Sequence, residues 1–316
     1  MKQCCQYLSF FCLFISYHSA ASQGSVACAL AVENQTLGGL PEFSANSQPL
    51  IGYSCGLTPR RSTYLGNWFP SLPQLSFSRT SRLLGSDNDS DTDDYSQSWY
   101  ADLAIKRIGD GQLVLHGGQK EWQKTLTANE DIPFFTSNVA SVTDGVIIQQ
   151  DQQAHLLYAE DVIGLSFVFP YREGHPLTSL TLQQRFITQP IQANIAELPK
   201  RSLYNTHARL TEIGISSKSY KKGFNVNWGV ALAAGDITID SEAIVENSSE
   251  YNEIFSVYAG LELYYQHRFN RRWFAFGRWQ GDIHYWRQGK NDNEDYQLAE
   301  VNNIEQRLHL GLGVSF

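Results

Sequence analysis

The sequence predicts an all-β chain, closed into a transmembrane antiparallel up-and-down β-barrel of about ten strands. Three observations predict it. Apolar and polar residues alternate with period two over long segments, which puts them on opposite faces of strands. No run of about 18 apolar residues follows the N-terminal segment, so transmembrane helices are excluded. Short turns near residues 110, 221 and 270 alternate with long polar connections near 90, 140, 195, 245 and 292. That is the spacing of a barrel with one short-turn rim and one long-loop rim.

Composition agrees with this class. The 316 residues could hold one large domain or two ordinary ones. Hydrophobic residues are 42% and mean hydropathy is -0.32, values that a soluble protein would also give. A barrel gives them too, because each strand devotes only alternate residues to lipid. The 17 Phe, 16 Tyr and 7 Trp are enough for aromatic girdles at two interfaces. The formal charge of -8 argues against a nucleic-acid partner, which would want a basic face.

Residues 1–21 resemble a secretory signal peptide. Lys2 supplies the positive start, Tyr7 to Tyr17 the apolar stretch, and Ser19-Ala20-Ala21 the small residues for cleavage. Its removal takes Cys4, Cys5 and Cys12 with it. Cys28 and Cys55 remain, an even pair in an oxidising compartment. A disulfide between them would close a loop of roughly 27 residues and contribute about 3 kcal/mol through loop entropy. Residues 22–71 are rich in Gly, Ser, Pro and Asn and only weakly periodic. They read as an irregular segment: a lead-in, a small stapled subdomain, or a plug inside the barrel.

The barrel is expected over residues 72–316. Leu75 and Phe77 alternate with Ser76 and Ser78. Trp99, Ala101, Leu103 and Ile105 alternate with Tyr100, Asp102, Ala104 and Lys106. Gly109-Asp110-Gly111 is a tight turn into a strand carrying Leu113 and Leu115. Leu157, Ile163, Leu165 and Phe167 mark the next strand. Leu180, Leu182 and Phe186 then alternate with Thr181, Gln183 and Arg185. A strand through Ile213 and Ile215 turns at Lys221-Lys222-Gly223. Phe224, Val226, Trp228, Val230 and Leu232 follow, with Asn225, Asn227 and Gly229 between them. Val257, Ala259, Leu261, Leu263 and Tyr265 face out, against inward Ser256, Tyr258, Glu262, Tyr264 and Gln266. After Asn270-Arg271-Arg272, Trp273, Ala275, Trp279 and Ile283 alternate with Arg278, Gln280, Asp282 and His284. Eight strands would require two weaker segments to be loops. Twelve would require further strands within residues 50–70 or 135–150.

The last stretch is His309-Leu310-Gly311-Leu312-Gly313-Val314-Ser315-Phe316, with Leu310, Leu312, Val314 and Phe316 on one face. His309, Gly311, Val314 and the final aromatic Phe316 make this resemble the closing-strand signal of bacterial outer-membrane β-barrel proteins. The resemblance covers roughly residues 72–316. It implies export through the periplasm to the bacterial outer membrane, contact with membrane lipid and lipopolysaccharide, and recognition by the barrel-assembly machinery during biogenesis. Solitary autotransporter-type barrels, which usually have twelve strands, and omptin proteases, with about ten, are related architectures.

Candidate chemistry is sparse. Glu262, Arg278, Asp282, His284, Glu305, Arg307 and His309 share the inward face, where paired charges fill a narrow lumen. Asp282 and His284 are two apart on that face and could form an acid–base pair. Asp87, Asp89, Asp91 and Asp93 alternate, as calcium ligands can. The EF-hand pattern fails, because Thr92 stands where Gly is needed and Ser98 where Glu is needed. No phosphate loop, nucleophile elbow, zinc signature or dinucleotide fingerprint is present, so no cofactor is expected. Lys120 carries no motif. Three readings follow: a structural or surface-interaction barrel with long external loops, a narrow selective pore or small-ligand barrel, and an outer-membrane hydrolase using Asp282 and His284.

Overall fold

The computed structural model describes residues 24–38, 43–45, 48–58, 73–82, 94–134, 146–170, 175–195, 198–221, 223–240, 252–288 and 302–316. The expected signal peptide at 1–21 and the Asp87–Asp93 run lie outside the described residues.

Fifteen strands are described: β1 (Ser25–Gly38), β2 (Phe43–Ala45), β3 (Leu50–Thr58), β4 (Gln74–Ser81), β5 (Tyr95–Ile108), β6 (Gly111–Ala128), β7 (Ile132–Phe134), β8 (Val146–Ile148), β9 (Gln153–Val168), β10 (Leu177–Ile195), β11 (Leu198–Lys221), β12 (Phe224–Asp240), β13 (Asn252–Arg268), β14 (Trp273–Gln288) and β15 (Asn302–Ser315). Twelve of them form a closed antiparallel ring. Its order is β6-β5-β4-β3-β1-β15-β14-β13-β12-β11-β10-β9, and β9 pairs back onto β6. Closure leaves no unpaired edge, which the membrane interior demands of any β structure. β2 lies outside the ring and extends the sheet beyond the end of β5, against Leu126–Ala128 of β6. β7 and β8 pair only with each other, in the connection between β6 and β9.

The ring has twelve strands, the larger of the alternatives to ten, and it begins at residue 25, not 72. The two strands beyond the ten are β1 and β3, both inside the supposed irregular segment; β3 lies within the 50–70 stretch that twelve strands require, and β1 was not expected. β1 is the partner of the closing strand along its whole length, from Ser25 opposite Ser315 to Gly38 opposite Asn302. Its pattern was diluted because Ala27, Ala29 and Ala31 point inward. With Val26, Cys28 and Leu30 pointing outward, no polar face interrupts the run. β3 alternates, with Ile51, Tyr53, Cys55 and Leu57 outward against Gly52, Ser54 and Gly56 inward, but its small inward residues blend into the Gly-, Ser-, Pro- and Asn-rich composition around it. A second correction concerns residues near 195. β10 and β11 are strands of 19 and 24 residues joined through residues 196 and 197, not by a long connection.

Inward and outward faces are reversed relative to a water-soluble barrel. Leu232 is 67% exposed and Leu310 58%, while Glu33 and Glu305 are 2% exposed. A soluble barrel would bury the first pair and hydrate the second. The exposed apolar belt includes Leu30, Ile163, Leu182, Ile213, Trp228, Val257 and Leu308. Among the described residues no helix is long and apolar enough to cross a membrane; the strands cross it. The short-turn rim uses left-handed glycines at Gly109 (φ 60°) and Gly223 (φ 84°), which close tight hairpins a side chain would strain. Gly24 and Phe316 sit on this rim, where the Phe316 N–H donates to the Gly24 carbonyl at 2.9 Å.

Cys28 and Cys55 are bonded to each other. They are directly opposite in the β1–β3 ladder, with Cα atoms 4.1 Å apart. Cys28 is on the outward face, so the bridge staples the wall from its lipid side.

Candidate functional site

The lumen is the candidate site, and parity builds it. Every second residue of each strand points inward, so a run such as Lys120, Trp122, Lys124 on β6 enters the lumen as a column. The inward columns form two layers at mid-height: a charged belt, and an apolar layer on its long-loop side.

The charged belt crosses the barrel. Lys120 Nζ on β6 bonds Glu305 Oε2 on β15. These strands are five positions apart in a ring of twelve, nearly opposite each other. Glu305 also pairs with Arg307, and Arg307 Nε lies 3.4 Å from Glu33 Oε2 on β1. Thr80 of β4 donates its hydroxyl to the same Glu33 oxygen at 3.1 Å. On the other wall, Arg185 of β10 pairs with Glu160 of β9 at 2.5 Å and Glu212 of β11 at 2.8 Å. Lys120 and Glu160 are register partners, so the two clusters meet. Charges this buried persist only when paired and hydrogen-bonded.

The apolar layer contains Trp122, Leu126, Leu156, Tyr158, Ile187, Leu210, Ile237, Ile254 and Trp286, with Phe43 of β2 packed in. Trp122 and Tyr158 stack with centroids 4.9 Å apart and planes at 6°. Tyr158 of β9 meets Trp286 of β14 edge-on at 6.5 Å, again across five strand positions. Tyr158 also ties the layers together, since its hydroxyl donates to Glu160 Oε2 at 2.8 Å. The lumen is thus bridged twice, once by an ion pair and once by aromatic rings.

All seven residues expected in the lumen charge network point inward, but they do not form one network. Arg278 pairs with Glu262 at 2.6 Å and donates to Gln280 Oε1 at 2.9 Å. Gln280 in turn donates to Asp282 Oδ2 at 2.6 Å. Glu305 and Arg307 belong to the crossing belt. His309 stands apart, its Nδ1 2.8 Å from Ser54 Oγ. Asp282 and His284 do not make a hydrogen-bonded pair among the described residues. Tyr258 donates its hydroxyl to Asp282 Oδ1 at 2.6 Å, so both carboxylate oxygens are already engaged. The His284 ring packs instead on the Tyr258 ring, with centroids 4.7 Å apart.

Sequence reasoning missed Glu33, Lys120, Glu160 and Glu212. Lys120 carries no motif, yet it spans the lumen. Parity could have found three of them: Leu115, Ile163 and Ile213 face out, so Lys120, Glu160 and Glu212 on the same strands must face in. Trp122, Trp286 and Phe274 do not join the aromatic girdles. They are lumen residues, buried at 2%, 9% and 5% exposure. Trp99, Tyr285, Trp273 and Phe269 do face outward, as expected of girdle residues.

A polar chain lies closer to the short-turn rim. Glu212 Oε1 accepts from Gln183 Nε2 at 2.6 Å, which leaves Gln183 Oε1 to accept from His116 Nε2 at 3.0 Å. His116 Nδ1 is then an acceptor, 3.3 Å from Ser166 Oγ. The relay is oriented like a nucleophile and its base. It lacks an oxyanion site, because Ser166 is within a paired ladder against both Thr181 and Val114 and its strand offers no free N–H groups. Ser166 Oγ is also shared with Thr181 Oγ1 at 2.7 Å. The chain fills and orders the lumen. Among the described residues no group of three or more His, Cys, Asp or Glu is placed to hold a metal ion.

No protein-family model and no curated protein matches the sequence. Solved structures with a similar outline include the translocator domain of the autotransporter NalP from Neisseria meningitidis, at 10% identity and TM-score 0.46, covering 100% of this chain and 95% of that one. The β domain of the Bordetella autotransporter BrkA aligns at 12% identity and TM-score 0.40, over 93% of this chain and 100% of that one. The outer-membrane protease OmpT from Escherichia coli aligns at 10% identity and TM-score 0.38, over 95% and 99%. The fold assignment rests on the chain's own ladder, closed through twelve strands, with an apolar belt outside and charges within. By that architecture the chain is an outer-membrane β-barrel.

Proposed function

We propose that this chain is a closed, non-conducting outer-membrane barrel that acts through what it presents at its long-loop rim. The observation that carries the reading is the double bridging of the lumen, by Lys120–Glu305 and by Tyr158–Trp286. A pore needs a continuous wet path, and these two layers interrupt one. An ion crossing the apolar layer would shed its hydration against Leu126, Leu156 and Leu210, each 0% exposed. The hydrolase reading has less support, because Asp282 is committed to Tyr258 and Gln280.

What remains for interaction is the surface. The connections that join β4 to β5, β12 to β13 and β14 to β15 carry Asp87, Asp89, Asp91 and Asp93; Glu242, Glu246 and Glu250; and Asp292, Glu294, Asp295 and Glu300, against two basic residues, Arg82 and Lys290. Such connections favour a cationic partner, or divalent ions shared with lipopolysaccharide. The assembly machinery is the expected partner during insertion, reading the strand that ends at Phe316.

Liposomes reconstituted with the protein should swell in sugar solution no faster than protein-free liposomes. On cells, replacing Asp87, Asp89, Asp91 and Asp93 with Ser should weaken binding of a cationic surface probe without lowering the amount of inserted barrel. Sugar-permeable liposomes would refute the closed lumen. Unchanged probe binding after neutralising all three connections would refute the surface role.

A further inference from the structure

The outer wall carries a polar patch inside its apolar belt. Along β9 the outward residues run Phe167, Leu165, Ile163, Asp161, Ala159, Leu157; along β10 they run Leu180, Leu182, Gln184, Phe186. Gln119 of β6 is the cross-strand partner of Asp161 on the same face. Asp161 is exposed. It lies seven residues along β9 from Val168 at the short-turn rim. At about 3.3 Å per residue and a tilt near 40°, that is about 18 Å into a hydrocarbon band about 25 Å tall. On the far side of the ring the wall stays apolar through Leu312, Leu310 and Leu308.

A carboxylate facing lipid at that depth is costly and marks a contact. The hydrogen-bonding state of the patch says with what. Gln119 Oε1 accepts the Trp99 indole N–H at 3.2 Å, which leaves its amide N–H groups to donate. Gln184 is turned away, donating to Thr211 Oγ1 at 2.6 Å, and its Oε1 is buried without a partner among the described residues. The Asp161 carboxylate has no hydrogen bond or ion pair among the described residues. An unused donor and an unused acceptor therefore lie side by side on neighbouring strands. A two-fold axis brings residue i of one copy to residue j of the other, and j to i. Laid face to face, two such patches satisfy both groups twice. Ile163, Leu182 and Phe186 surround them and would exclude lipid.

We propose that this face is a homodimer contact in the membrane, in which Gln119 of each copy donates to Asp161 of the other. Sedimentation equilibrium in density-matched neutral micelles, over a wide range of protein-to-detergent ratio, tests it. The wild-type protein should show a monomer–dimer equilibrium. Gln119→Leu and Asp161→Leu should each weaken association about tenfold. Gln119→Asp alone should abolish it, since carboxylates would then face each other. Combining Gln119→Asp with Asp161→Gln should restore it, because the donor and acceptor have merely changed places. Folding of each variant is checked by the heat-sensitive gel mobility of a closed barrel. A wild-type protein monomeric at every ratio would overturn the proposal and assign the patch to lipid headgroups. Leu variants that associate as tightly as wild type, or an exchange variant that stays as weak as Gln119→Asp, would overturn it too.

Discussion

Lys120 on β6 and Glu305 on β15 meet across the lumen, although their strands are separated by four others around the wall. Glu305 is shared with Arg307, so the two sides of this bond are not equivalent. Lys120→Met should leave Glu305 paired and cost little. Glu305→Leu strands both Lys120 and part of Arg307, and should cost about 3–5 kcal/mol. Urea unfolding in micelles, followed by tryptophan fluorescence, would show the midpoint falling much further for Glu305→Leu. Equal losses would mean that the crossing contact, not charge pairing at Glu305, dominates.

Arg185 is held by two carboxylates, Glu160 and Glu212. Arg185→Leu leaves both buried and unpaired and should destabilise by about 3–5 kcal/mol. Adding Glu160→Leu and Glu212→Leu should recover most of that loss, because an apolar trio is no worse than a broken ionic one. The same unfolding measurement reads both steps.

Leu156 and Leu310 are the same residue type on opposite faces. Leu156 is fully buried in the lumen layer, and Leu310 is 58% exposed toward lipid. Leu156→Ala should open a cavity and cost about 2–5 kcal/mol. Leu310→Ala exchanges side-chain contact for lipid contact and should cost markedly less. Comparable losses would contradict the lumen packing.

The Cys28–Cys55 bridge faces the hydrocarbon near the short-turn rim. A membrane-impermeant reductant should therefore leave it intact in folded, reconstituted protein and cleave it rapidly once urea unfolds the chain. Thiol alkylation before and after reduction reads the difference. Replacing both cysteines with Ser should lower stability by about 3 kcal/mol through the freed loop.

Much of the wall was legible in the sequence. β12 to β15 each keep polar residues inward and apolar residues outward, so their alternation is nearly unbroken and their facing came out correctly, down to Arg278, Gln280 and Asp282. β1 was not legible because its first half has inward Ala27, Ala29 and Ala31 behind an apolar outward face, while its second half is polar on both faces, with Glu33 and Gln35 inward and Asn34 and Thr36 outward. In β3 the small inward Gly52, Ser54 and Gly56 read as loop composition. The lumen was half legible. Parity placed side chains inside, but a strand pattern holds no information on which columns meet across the barrel. Lys120 and Glu305 are 185 residues apart, and their meeting depends on ring size. For the same reason Asp282 and His284 looked like a pair. Tyr258, from the neighbouring strand β13, claims the carboxylate first.

A lumen closed at mid-height passes no ions. In planar-bilayer recordings of the purified wild-type protein the baseline should stay flat at all voltages that the bilayer tolerates, with no discrete current steps. Reproducible unitary steps from wild-type protein, abolished when Lys120 or Trp286 is replaced, would show that the bridges line an open path and would contradict the closed lumen.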